Sequence, residues 1–207
     1  MKFKKEMLLL YAVTDRHWTG GQTLEEQIEE ALAGGVTILQ LREKKLPEEE
    51  FLQEAVRVKE ICHRHGVPLI INDNVEVALK SGADGVHVGI EDAPVSEIRT
   101  RVPADFIIGA TCKTVEQAKK AEQAGAVFPS PTKTTAIRIT REQLCEICTS
   151  VQIPAVAIGG ITAENITEIR GGGMAGAAVV SAIFGAEDIK KAAGELKKKV
   201  NEIVTGA

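Results

Sequence analysis

The chain has 207 residues, 44% apolar and 26% charged, with 25 basic against 29 acidic residues and a net charge of −4. That length suits one domain, 1–207, with a substantial core. The mildly acidic balance gives no reason to expect a nucleic-acid or anionic-membrane partner. No apolar run approaches the roughly 18 residues a membrane span needs, so a cytoplasmic protein is expected.

In chain order, "MKFKKEMLLLYAV" imitates a secretory signal with its basic start and apolar run. The run covers only Met7 to Val13, meets "TDR" and lacks a small-residue cleavage site, so it reads as a buried first strand. A helical pattern from Thr23 to Ala33 follows, then "TILQL". Pro47 to His65 is a helix with Phe51, Ala55, Val58 and Cys62 on one face. Next come "PLIIN", a short helix from Val75, "GVHVG", a helix near Pro94 to Arg101, "FIIGA", and a helix from Thr114 to Ala124. Cys145-x-x-Cys148 falls where Leu144, Ile147, Cys148 and Val151 fit one buried helical stripe. With no second pair or clustered histidines, it reads as packing rather than redox or zinc chemistry. "PAVAIGG", "NITEIR", "GAAVVSA" and a helix from Asp188 to Val204 complete the series; its lysine run suits a helix C-terminus.

Repeated β–α units with doubly apolar strands imply a parallel sheet covered by helices. Close to eight units in this length favours an α/β fold of the (β/α)₈ TIM-barrel type. An open doubly wound sheet is second, because no GxGxxG follows the first strand. Nothing in the sequence opposes a homo-oligomer.

In a barrel the active site forms where the strands end. In "TILQLREKK", Gln40, Arg42 and Lys44 share one face while Leu39 and Leu41 share the other. Asn72 and Asp73 follow "PLII", and Asp92 follows "GVHVGIE". Thr111 ends the fifth strand, and the "FPSPTK" loop offers Ser130, Thr132 and Lys133. Asp73 and Asp92 are hard oxygen ligands suited to Mg²⁺. Arg42 can fork onto phosphate oxygens and Lys44 can add a point charge. Together these suit a diphosphate. Backbone amides at Gly159 and Gly160, and the turn at Ser181, suit a second phosphate after the late strands. Structural roles compete for several of these residues. Asp73 could cap the helix near Val75, Asp92 could cap the turn before Pro94, Gln40 could be a buried amide, and His87 could satisfy an inner-barrel hydrogen bond.

The stretches "YAVTDR", "GGVTILQLREK", "LIINDNVEVALKSGADGVHVGIED", "FPSPTK", "AIGGITAENI" and "VVSAIF" resemble thiamine-phosphate synthase, also called thiamine-phosphate pyrophosphorylase, from about Leu10 to Leu196. The resemblance implies a transferase that joins hydroxymethylpyrimidine diphosphate to thiazole phosphate and releases pyrophosphate, ionising first with Mg²⁺ assistance. It implies that Gln40, Arg42, Lys44 and Asn72 hold the pyrimidine diphosphate, with Thr111 and Lys133 also at the diphosphate. Arg42, Lys44, Lys133 and Thr111 would act in catalysis, and Asp73 and Asp92 would bind Mg²⁺. Thr132, Gly160, Val180 and Ser181 would hold thiazole phosphate, with Ser130 in the same loop.

The chain departs from the family pattern at three places. Ile90 stands where relatives usually have glutamine, in the stretch before Asp92. Lys113 replaces a histidine on which a related thiazole tautomerase relies, which counts against that alternative. Between "KKAEQAG" and "AVFPSPTK", relatives carry several more residues of the form "ADYLGVG", which supply strand six. Crossing a barrel takes about five extended residues at roughly 3.3 Å each, and Ala126 to Phe128 offer too few. The expectation is therefore a sixth strand shortened or missing, with an interruption between Gly125 and Ala126. A barrel without that strand would favour a second alternative, a non-catalytic sensor of thiamine precursors.

Overall fold

The computed structural model describes residues 2–131 and 140–206. Strands and helices alternate as the periodicity requires: β1 (Leu10–Val13), α1 (Leu24–Ala33), β2 (Ile38–Leu41), α2 (Glu48–Arg64), β3 (Leu69–Asn72), α3 (Val75–Lys80), β4 (Gly85–Val88) and α4 (Val95–Arg101) form the first half. The second half is β5 (Ile107–Cys112), α5 (Val115–Gln123), β6 (Phe128–Pro131), α6 (Arg141–Ser150), β7 (Val156–Ile158), β8 (Gly176–Val179), α7 (Ser181–Phe184) and α8 (Ile189–Thr205). Short 3₁₀ turns lie at Lys5–Leu8, Arg16–Trp18 and Ile166–Ile169. All the strand pairs are parallel, and β8 pairs with β1, which wraps the sheet into a barrel.

Local sequence sets the helix ends. T-x-x-E/Q capping boxes at Thr23/Glu26, Thr114/Gln117 and Thr140/Gln143 start α1, α5 and α6. Four helices stop by one device, with Gly35, Gly66, Gly82 and Gly125 at positive φ. The next N–H reaches back five residues, as in Val36 to Ala31 and Ala126 to Ala121. This is the Schellman closure, and glycine alone takes that φ without a Cβ penalty.

Two apolar layers result. Tyr11, Val13, Ile38, Ile70, Ile107 and Phe128 are among the residues that fill the barrel interior. Leu39, Leu41, Leu69 and Ile71 pack outward among the helices. On β2 the alternation therefore sends Ile38 and Gln40 inward and Leu39 and Leu41 outward. Among the described residues, no helix is long and apolar enough to cross a membrane.

The sixth strand corrects an expectation. It is present, and the chain runs directly from Gly125 into Ala126, whose N–H closes α5. In all four Schellman turns the strand starts three residues past the glycine, at Ile38, Leu69, Gly85 and Phe128. "FPSP", read as loop, is the strand itself, so the crossing uses Ala126 to Pro131 rather than ending at Phe128. Its register pairs Gly109 with Phe128 and Thr111 with Ser130. The prolines carry a cost: Val127 N–H reaches Ile108 O, but Pro129 and Pro131, facing the same way, have no N–H to give β5. An edge tolerates proline where the missing N–H faces away from the paired strand; in β6 it faces β5. Here β6 and β7 end the hydrogen-bonded order, with no ladder between them among the described residues.

Candidate active site

The polar strand-end residues start from the register of β1 and β2. Gln40, 4% exposed, donates through Nε2 to the Tyr11 hydroxyl at 2.7 Å, so it is a partnered buried amide at the top of the barrel interior. Beyond Leu41, the Arg42 N–H donates to Thr14 Oγ1 at 2.9 Å, which fixes where the guanidinium leaves the strand. Arg42 then donates to Asp15 Oδ2 at 3.1 Å. Lys44 Nζ reaches across to Asp73 Oδ2 at 2.6 Å.

Asp73 is set by its backbone. Its φ is 62°, a left-handed conformation that aspartate tolerates better than most side chains. The Asp73 N–H donates to His87 O at 2.8 Å, and Asn72 Nδ2 donates to Asp73 Oδ2 at 2.5 Å. Asp73 does not cap α3; Asn74 does, accepting from Val77 N–H at 2.9 Å. That leaves the Asp73 carboxylate to Lys44, Asn72 and Asp92. Asp92 Oδ2 accepts from Gly89 N–H at 2.6 Å, closing the turn after β4. Burial pushes the Asp92 carboxyl above its ordinary range against the Gly89 hydrogen bond, and the adjoining Asp73 carboxylate pushes it the same way. Two carboxylates within hydrogen-bonding reach gain from a shared cation. Oxygen-only donors at the tip of a barrel fit Mg²⁺ completed by substrate phosphate and water. No cluster of three or more acidic, histidine or cysteine side chains suited to a metal occurs among the described residues.

On the β5–β6 side, His87 Nε2 lies 3.1 Å from Thr111 Oγ1, the inner-barrel role considered for it. Burial lowers the His87 pKa to about 4, so the ring is neutral near pH 7. Ser130 points inward on β6, 1% exposed, and its hydroxyl has no partner among the described residues. It belongs to the strand rather than to the loop where it was expected. Thr132 and Lys133 lie outside the described residues.

The second sub-site lies after β7 and β8. Gly159 and Gly160 have φ of 124° and 61°. Asn165 ties this turn, donating to Gly160 O at 2.9 Å and accepting from Thr162 N–H at 3.0 Å. Val180 precedes α7, where Ser181 is exposed. The structure thus links Lys44, Asn72, Asp73 and Asp92 across three neighbouring strand ends, while Arg42, two residues before Lys44, pairs with Asp15 after β1. Gly160, Val180 and Ser181 are grouped by topology on the same barrel face.

Sequence reasoning missed Thr14, Asp15, Arg16 and Glu54, and gave Glu43 no role. Asp15 caps the Arg16–Trp18 turn, accepting from His17 N–H at 3.0 Å. Arg16 faces Glu43 and Glu54. The one available signal was a glutamate on the apolar face of α2, where Glu54 is 3% exposed. A buried carboxylate needs a cation nearby.

A family model described as thiamine monophosphate synthase matches residues 10–183. The thiamine-phosphate synthase of Ruminiclostridium cellulolyticum is 45% identical over 194 residues, covering 90% of this chain and 92% of the relative. Thiamine-phosphate synthase 2 of Streptococcus pneumoniae is 41% identical over 208 residues, covering 97% of this chain and 99% of its own. The solved thiamine phosphate pyrophosphorylase from Pyrococcus furiosus has a TM-score of 0.89 at 36% identity, covering 97% of this chain and 98% of that one.

Proposed function

The chain belongs to the thiamine monophosphate synthase family, and from that premise we propose that it joins hydroxymethylpyrimidine diphosphate to thiazole phosphate, releasing pyrophosphate and giving thiamine phosphate. The observation that carries this reading is the convergence of Lys44, Asn72, Asp73 and Asp92 at the ends of β2, β3 and β4, with Arg42 leaving the same turn after β2 beside Asp15. Two cations, an amide and a carboxylate pair on one rim form a diphosphate site. They are poorly suited to a neutral substrate.

Asp73 and Asp92 would hold Mg²⁺, which when bound supplies positive charge to the departing pyrophosphate. Arg42 and Lys44 are each engaged by a carboxylate, Asp15 and Asp73, through partly exposed side chains. They exchange those partners for phosphate oxygens and stabilise the charge that grows as the bond breaks. Gln40 presents the amide oxygen left after its bond to Tyr11, which suits an aminopyrimidine edge. The neutral His87 orients the Thr111 hydroxyl at the diphosphate end, where Lys133 and Ser130 are assigned by resemblance. The Gly159–Gly160 turn, Val180, Ser181 and Thr132 receive thiazole phosphate. A site built this way favours ionisation first, with the thiazole nitrogen attacking afterwards, because its residues neutralise a leaving group and none acts as a strong base. The sensor alternative rested on an absent sixth strand, and β6 supplies one.

The test is pyrophosphate release in the presence of Mg²⁺, with both substrates and with each omitted in turn. Release that requires both is expected. Release from the pyrimidine diphosphate alone would mean hydrolysis, and no release from the mixture would overturn the assignment.

A further inference from the structure

Asp15–Arg16 after β1 and Arg42–Glu43 after β2 face one another with reversed charge order. Asp15 takes Arg42 at 3.1 Å, and Arg16 Nε takes Glu43 Oε1 at 2.7 Å. Arg16 also donates to Glu54, two turns into α2. The stitches differ in burial. Asp15 and Arg42 are 35% and 36% exposed, and Lys44 and Asp73 are 52% and 29% exposed. The Glu43 side chain is only 4% exposed, and Glu54 is 3% exposed. An arriving anion can compete at the open pairs. It cannot reach the buried carboxyls.

We propose that Arg16, Glu43 and Glu54 are positioning residues: they hold the turn after β2 against α2 while Arg42 and Lys44 exchange Asp15 and Asp73 for phosphate oxygens. The inference rests on the diphosphate reading given above. Glu43 lies between Arg42 and Lys44 in sequence, so fixing its carboxyl fixes the backbone from which both cations project. A site held by a helix is more exact than one held by a free loop. The charge balance agrees. Burial and the neighbouring Glu54 push the Glu43 carboxyl up to about 7. Two carboxyls, one guanidinium and one retained proton make the cluster neutral.

The test compares Arg16→Met, Arg16→Lys and Glu54→Gln with the parent enzyme in steady-state kinetics, and by calorimetric binding of inorganic pyrophosphate with Mg²⁺. For Arg16→Met, KM for the pyrimidine diphosphate should rise about tenfold or more, while KM for thiazole phosphate stays within about twofold. Pyrophosphate affinity should fall in parallel. Arg16→Lys, which keeps the charge but not the fork, should recover part of the loss. If Arg16→Met does not fold, the near-isosteric Glu54→Gln carries the test with the same sign and a smaller shift. Equal shifts in both KM values, or none in a folded variant, would overturn the inference. Arg42→Ala separates the two layers. If it binds pyrophosphate as the parent does, the diphosphate reading fails. If it loses binding while the Arg16 and Glu54 variants keep it, only the positioning role fails.

Discussion

Asp73 carries the positive φ that turns its carboxylate back over the rim, and Asp92 meets it from the next strand. Asp92→Asn keeps an oxygen for the Gly89 N–H but removes the anion. Turnover should fall about 100-fold or more, as for loss of one element of transition-state stabilisation, and the Mg²⁺ dependence of the remaining rate should weaken. A titration of rate against Mg²⁺ checks it. Ser181→Ala, by contrast, should raise KM for thiazole phosphate and leave that for the pyrimidine diphosphate unchanged. Glu43 allows a separate prediction from acid–base linkage. Arg16 from the β1 turn and Glu54 from α2 face it, and burial holds its folded pKa at about 7, above the ordinary 4.5. Between those values the unfolded chain binds fewer protons than the folded one, so this group makes stability fall as pH rises. Glu43→Gln mimics the protonated form, so its stability relative to the parent should increase from pH 5 to pH 8 in urea unfolding. The reverse trend would show that the carboxylate form is the favoured one. Such residues differ in legibility. Gln40, Arg42 and Lys44 stand out because a period of two separates them from Leu39 and Leu41 between positions 39 and 44. Arg16 and Glu54 meet only through the fold, 38 residues apart, and no local pattern marks them.

At the scale of elements, helix stops were legible and one strand was not. Glycine after an apolar helix stripe marks α1, α2, α3 and α5 alike, and the structure ends each with a positive φ. "FPSP" was obscured because two prolines in four residues signal a turn. In the sheet they face β5 rather than the seam with β7, so the β5–β6 ladder goes without two N–H donors. The stop before it is a point where side-chain surroundings add to backbone strain. At Gly66 a Cβ would meet nothing within 4 Å, whereas at Gly125 it would lie 3.2 Å from Arg99 Nε. Arg99 is committed there, donating to Gly125 O at 2.9 Å and Phe106 O at 3.0 Å. Gly66→Ala should therefore cost about 1 kcal/mol from φ alone, and Gly125→Ala more, about 2 kcal/mol with the displaced guanidinium. Urea midpoints of the two variants decide it. Equal losses would mean that Arg99 moves aside freely.

Across the whole molecule, β6 is anchored from the barrel interior beside a seam with β7 that carries no backbone ladder among the described residues. Phe128 is fully buried, with ring centroids 6.3 Å from Phe3, 5.9 Å from Tyr11 and 5.7 Å from His87. Gly109 makes room for it, since a Cβ there would come within 2.4 Å of Phe128 Cζ. The barrel geometry thus depends on a core contact formed by the same short strand that leads into Thr132 and Lys133. Phe128→Ala should cost about 3–5 kcal/mol, a large share of the ~5–15 kcal/mol typical of a domain. Leu144→Ala, fully buried on α6 in the outer layer, provides the comparison at about 2–5 kcal/mol. Stability alone would not separate the two variants; activity per folded molecule should. Leu144→Ala leaves the barrel interior filled and should keep its turnover below the melting range. Phe128→Ala removes the inward anchor of β6 and should lose turnover even where circular dichroism shows a folded chain. Equal activity per folded molecule in both variants would mean that the β5 ladder alone holds β6 in register.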